Sequence, residues 1–191
     1  MKNDWKKAIK ILKNGGVGVI PTDTLYGIVG RVESKKIVEK IYTIKSRNEN
    51  KPFIVLITSY KDLKLFGVKV EKEQAKFFSK IWPGKVSVIL PCKSSKWRYL
   101  HRGVKSIAFR MIGPKNKNLF NLINKVGPLV APSANPEGLP PAETIKQAKK
   151  YFGNKVNLYI NVGKRKFKPS TLIKFGNGGF VVLRQGKKKI K

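Results

Sequence analysis

The chain has 191 residues, 41% of them hydrophobic, and carries 42 lysines and arginines against 10 aspartates and glutamates, a formal charge of +32. That length suits one domain with a substantial core, and no apolar run approaches the ~20 residues needed to span a bilayer. One cysteine, Cys92, and one histidine, His101, exclude an intramolecular disulfide framework and argue against a structural zinc site.

In chain order, residues 4–14 are predicted as an amphipathic helix capped by Asp4 and stopped by Gly15 and Gly16. The basic N-terminus lacks an apolar signal core, so a cytoplasmic protein is expected. Residues 17–20 read as a strand. Residues 34–45 form a helix with Ser34 as N-cap and Ile37, Ile41 and Ile44 on one face. The continuous apolar run at 53–58, FIVLIT, suits a central strand buried on both faces. Short helices are predicted at 59–66 and 71–81, strands at 86–90 and 106–111, a helix at 116–126 and a short strand at 129–131. A helix at 142–152 and strands near 157–161, 170–175 and 179–184 complete the pattern. Alternating strands and helices indicate an α/β fold with helices on both faces of an open sheet. The closely spaced last strands make part of that sheet antiparallel, so the sheet is mixed. Residues 1–186 are expected to form a single domain, with 187–191 as a frayed basic tail.

No phosphate-binding G-x-x-x-x-G-K-[ST] loop, dinucleotide fingerprint or Ser-His-Asp relay is present. The scattered acids rule out paired-carboxylate catalysis. Any chemistry must rest on positioning and positive charge. Past Glu143 no acidic residue remains, yet 14 basic ones follow. Such a surface attracts polyanions and anionic substrates, although lysines spread over every solvated face explain individual positions equally well.

Four stretches carry polar groups that this chemistry needs. In PTDTLYG, residues 21–27, Thr22, Asp23, Thr24 and Tyr26 follow a strand end, where they either orient a small molecule or close a local turn. In KSRNENKP, residues 45–52, Lys45, Arg47 and Lys51 follow a helix end and either clamp phosphates or complement the helix dipole. In APSANPEGLPPAET, residues 131–144, Ser133 and Asn135 precede a helix opening near Ala142, an anion seat or an ordinary loop. Arg110, Ser170 and Arg184 lie at or beside strand ends, facing a cleft or solvent.

Together with WPGKVSVIL, SIAFRM, KPSTLI and LRQG, these motifs occur in the order found in YrdC-like threonylcarbamoyl-AMP synthases, which the chain resembles from about residue 5 to 186. The resemblance is to the short, single-domain branch and implies a twisted mixed sheet around a basic concave cavity. It implies an L-threonylcarbamoyladenylate synthase, a nucleotidyltransferase using L-threonine, bicarbonate or carbon dioxide, and ATP with Mg²⁺ on its phosphates and no side-chain metal ligand. The implied partners are tRNA or double-stranded RNA and the proteins that transfer the threonylcarbamoyl group to tRNA, with no membrane. The alternative is a non-catalytic RNA-binding protein of the same fold.

By this resemblance Lys45 and Arg47 are catalytic, and with Lys51 they hold the triphosphate. Ser106, Ser133, Asn135, Pro141 and Arg184 surround the nucleotide. Thr24, Arg110, Ala131 and Ser170 bind threonine, with Arg110 on its carboxylate, and Thr22, Asp23 and Tyr26 back the cavity wall. The sequence departs from the pattern in four places. Lys85 replaces a proline, and RMIGP lacks the proline that often follows its arginine by two residues. Leu56 stands where longer relatives carry a histidine. Glu137 replaces a serine, placing a carboxylate near phosphates, with Lys85 expected to offset it.

Overall fold

The computed structural model describes residues 2–176 and 179–190. Met1 and Lys191, which belong to the expected domain and tail, lie outside the described residues, as do Asn177 and Gly178. Among these residues seven α-helices and nine strands follow one another: α1 (Lys2–Lys13), β1 (Gly18–Pro21), β2 (Tyr26–Arg31), α2 (Lys35–Lys45), β3 (Ile54–Ile57), α3 (Tyr60–Lys64), α4 (Lys72–Ile81), β4 (Val86–Pro91), α5 (Arg98–His101), β5 (Ser106–Met111), α6 (Lys117–Val126), β6 (Leu129–Val130), α7 (Ile145–Phe152), β7 (Leu158–Tyr159), β8 (Thr171–Gly176) and β9 (Gly179–Arg184).

The strands form one sheet of nine in the order β7-β1-β2-β6-β3-β5-β4-β8-β9. Pairs β1/β7, β3/β5 and β4/β8 are parallel, and the other five are antiparallel. The apolar run at 53–58 supplies β3, which sits at the middle of this order. Its side chains alternate between two cores. Val55 and Ile57 pack with α2, α4, α5 and α7, while Leu56 packs with α1 and α6. A strand covered on both faces has no polar side, which is why it reads as an unbroken apolar run.

Three expectations are corrected here. Helix α1 starts at Lys2, which puts Asp4 in its first turn rather than at its cap. There the carboxylate complements the helix dipole. The chain also holds a strand, β2, where the sequence suggested only a polar turn. Gly27 and Gly30 dilute its strand signal, yet they are what let it pack: a Cβ on Gly30 would lie 2.4 Å from Ile37 Cγ2 and 3.0 Å from Ile41 Cδ1. Gly30→Ala is therefore expected to destabilise the fold by about 1–3 kcal/mol through overpacking, read as a lower urea midpoint at unchanged slope. Finally, the start of the basic tail is not frayed. Lys187 N donates to Pro169 O at 2.8 Å, and Thr171 Oγ1 donates to Lys188 O.

Candidate active site

Two hollows open side by side above the middle of the sheet. One, of about 440 Å³, is lined by Thr24, Arg110, Ala131, Pro141 and Ser170 among others. The second, of about 400 Å³, is lined by Arg47, Lys51, Phe53, Ser106 and Ala108 among others. They share Ile54, Pro132, Ser133 and Arg184 as a common wall. Arg110 and Arg47 thus border adjoining hollows, with Arg184 on the wall between them.

The first hollow is built from the 21–27 segment. The turn reading of that stretch holds. Thr22 Oγ1 donates to Leu25 O at 2.7 Å and accepts from Thr24 N at 3.2 Å, closing a turn. That turn aims Thr24 into the hollow, where Arg110 Nη1 donates to its Oγ1 at 3.4 Å. Arg110 is 3% exposed and pairs with Asp23 at 3.2 Å. Its Nε–H is buried and has no partner among the described residues, so a donor remains unfilled beside the hollow.

The second hollow depends on how α2 ends. Ser46 adopts a left-handed conformation (φ 48°), and Arg47 N donates back to Tyr42 O at 3.1 Å. This cap turns the chain so that Arg47 faces the hollow. Its guanidinium lies 5.3 Å from the Phe53 ring centre, and its Nε donates to Lys51 O at 3.1 Å. Phe53 in turn stacks on Tyr42 at 3.9 Å. The cation lies within cation–π range of an aromatic base, with its terminal nitrogens pointing to no protein partner among the described residues.

Lys45 and Asn135 line neither hollow as a wall residue. The Lys45 side chain is 1% exposed, and its ammonium donates to Ser133 O at 2.6 Å and to Asn135 O. It reaches the site through the 133–135 loop, which it fastens to α2. Burial, with Arg47 beside it, pushes the Lys45 ammonium down to about 7, and Glu137 opposes that shift. A lysine lowered from 10.5 is penalised in the fold when charged, so this penalty is complete below about pH 7 and relaxes as pH rises toward 10.5. The stability of the natural protein relative to Lys45→Met is expected to rise between pH 7 and 9.5, by at most about 1.4 kcal/mol per pH unit. Denaturant melts of both proteins across that range check it.

Asn135 closes its own loop, donating through Nδ2 to Pro136 O at 2.9 Å and to Leu139 O at 2.6 Å. The helix after it does not form an anion seat near Ala142. It starts at Ile145, and Thr144 caps it by accepting from Gln147 N at 3.2 Å. Pro141 borders the first hollow rather than the second.

Glu137 finds its cation in Lys51, at 2.6 Å, and not in Lys85, which borders a different hollow together with Asp23. It also accepts from Asn48 N at 2.5 Å, and these contacts hold its carboxyl below the usual range. Thus it straps the 46–51 loop to the 133–139 loop.

Sequence reasoning missed Phe167, Lys168 and Pro169, which border the first hollow, and Arg165, which holds its floor. Arg165 Nη2 donates to Thr22 O at 2.9 Å and to Thr24 O at 3.3 Å. Tyr26 pins the same segment, donating to Gly163 O at 2.8 Å and accepting from Val162 N at 3.0 Å. The run KRKFKP carried a signal only in its phenylalanine, an apolar residue inside a basic stretch.

The Sua5/YciO/YrdC family model, described as telomere recombination, matches residues 10–186. The chain belongs to the Sua5/YciO/YrdC family. A threonylcarbamoyl-AMP synthase of Coxiella burnetii is 31% identical over 152 residues, covering 78% of this chain and 80% of that protein. The crystal structure of Pyrococcus abyssi Sua5 complexed with L-threonine superposes with a TM-score of 0.85 at 28% identity, over 95% of this chain and 54% of that one. The chain therefore spans about half the length of the P. abyssi protein. Escherichia coli YciO superposes with a TM-score of 0.86 at 25% identity, over 100% of this chain and 93% of that one. The family's mixed α/β sheet is thus the fold of this chain. Among its described residues no helix is long and apolar enough to cross a membrane.

Proposed function

We propose that this Sua5/YciO/YrdC protein is a threonylcarbamoyl-AMP synthase. The threonine amine takes up bicarbonate, with loss of water, or carbon dioxide to become a carbamate. A carbamate oxygen then attacks the α-phosphorus of ATP, and pyrophosphate leaves. The nucleophile comes from the substrate, so the site needs no histidine or paired carboxylates. Its task is to hold two anions together and to stabilise charge on the phosphates.

The observation that carries this reading is the shared wall between the two hollows, with Arg184 on it. In the first, Arg110, Thr24, Ala131 and Ser170 hold threonine. In the second, Arg47 and Lys51 hold the triphosphate, with Ser106, Ser133 and Arg184 around the nucleotide. Lys45 and Asn135 set the Ser133 loop between them. Mg²⁺ would come with the ATP phosphates, since Arg47 and Lys51, which would face the triphosphate, carry groups that bind phosphate oxygens rather than metal. The ion would withdraw charge from those oxygens. The product passes in the cytoplasm to proteins that transfer the threonylcarbamoyl group to the adenosine beside the anticodon, in tRNAs reading codons that start with A. The +32 charge supports proximity to tRNA.

Incubation with ATP, Mg²⁺, bicarbonate and L-threonine tests the reading. Pyrophosphate and threonylcarbamoyl-AMP should appear together and only when threonine is present. Threonine-independent pyrophosphate, or binding of double-stranded RNA without any adenylate, would contradict it.

A further inference from the structure

Behind the first hollow lies a hydroxyl that no motif singled out. Ser87, on β4, is 0% exposed and its Oγ lies 2.9 Å from the Oγ of Ser170, itself 1% exposed. Among the described residues this is the only hydrogen bond of the Ser87 side chain that the geometry supports. A buried hydroxyl carries one proton, and a proton aimed into apolar core is costly. Ser87 therefore donates to Ser170.

Arg184 approaches Ser170 from another side. Its Nη2 donates to Ser170 O at 3.0 Å and to Ser170 Oγ at 3.4 Å, and its Nε donates to Ser170 O at 3.3 Å. Both acceptor positions of the Ser170 hydroxyl are then filled, one by Ser87 and one by Arg184. What remains is its own O–H. Ser170 borders the first hollow, and apart from Ser87 Oγ, which acts here as the donor, no protein acceptor for that proton is present among the described residues. Arg184 also senses Arg110: partial desolvation of its guanidinium, followed by the charge of Arg110, lowers its affinity for its proton. An anionic oxygen placed between these two guanidinium groups would relieve both.

We infer that Ser87 is a positioning residue that fixes Ser170 as a pure hydrogen-bond donor, so that the pocket selects an acceptor oxygen, the carboxylate of the amino acid, at that point. This rests on the proposed function. A hydroxyl free to rotate would accept from an amine as readily as donate to a carboxylate. The Ser87 contact removes that choice before the substrate arrives, which is preorganisation of a binding group.

Steady-state pyrophosphate release from the full chain tests the inference through Ser87→Ala, Ser87→Thr, Ser170→Ala and the Ser87→Ala/Ser170→Ala pair. Ser87→Ala should raise the KM for L-threonine about tenfold, the scale of one charge-assisted hydrogen bond, with the KM for ATP and kcat nearly unchanged. Ser87→Thr, which keeps the hydroxyl, should restore most of it. In the Ser170→Ala background the Ser87 change should add almost nothing, because its effect runs through Ser170. Equal KM values for Ser87→Ala and the natural protein would overturn the inference while leaving the synthase reading intact. So would an undiminished effect in the Ser170→Ala background, or a fall in kcat that Ser87→Thr does not rescue. No threonine response in the unsubstituted protein would overturn the proposed function, and this inference with it.

Discussion

Replacing Arg47 by alanine is expected to lower kcat about 10²–10³-fold, the usual consequence of removing one fixed donor from a charge that grows in the transition state. The side chain is half-buried, lies 5.3 Å from the Phe53 ring centre and makes one bond to the Lys51 carbonyl. Its loss leaves the fold largely intact, so the effect is chemical rather than structural. Arg47→Lys should recover only part of the rate, because a single ammonium cannot reproduce the planar fork against two phosphate oxygens. Single-turnover pyrophosphate release at saturating ATP measures it. An unchanged rate would remove the triphosphate from the second hollow.

Arg110→Ala is expected to do two things, and the pair with Asp23 separates them. Both side chains are almost fully buried, at 4% and 2% exposure. Removing the arginine leaves Asp23 charged and alone in the interior, which costs about 3–5 kcal/mol of stability. Arg110→Ala with Asp23→Asn removes that lone charge and should regain most of the stability. Threonine binding should not return, because the guanidinium that faces the hollow is still missing. Denaturant melts give the first quantity and threonine titration of the purified double variant the second. Normal threonine affinity in the double variant would mean that Arg110 only supports the fold.

The contrast between these arginines and Lys45 shows what the sequence revealed and what it hid. The central strand at 53–58 is legible because burial on both faces leaves an unbroken apolar run. Ser34 is legible because a cap needs a short side chain before an apolar face, and its Oγ does accept from Ile37 N at 3.4 Å. Strand β2 was hidden because the close approach of α2 demands glycine at position 30, and glycine carries no strand signal. The order of the motifs pointed to the residue types expected at the site. It did not give their directions. Spacing places Arg110 and Arg184 at strand ends, but only the packed sheet turns both toward one wall. Lysines are seldom buried, so nothing marked Lys45 as a fastening inside the fold rather than a surface cation. Glu137 and Lys51 are far apart in the chain, and only folding brings the two loops together to make the strap.

The central claim is that a triphosphate and an amino acid lie in adjoining hollows, divided by a wall that includes Arg184. A crystal structure of the full chain with L-threonine and a non-hydrolysable ATP analogue tests it most directly. The account predicts the threonine carboxylate against Arg110 and Ser170, the phosphates against Arg47 and Lys51, and Arg184 between them. Threonine and nucleotide found on separate faces, or either one bound outside these two hollows, would contradict it.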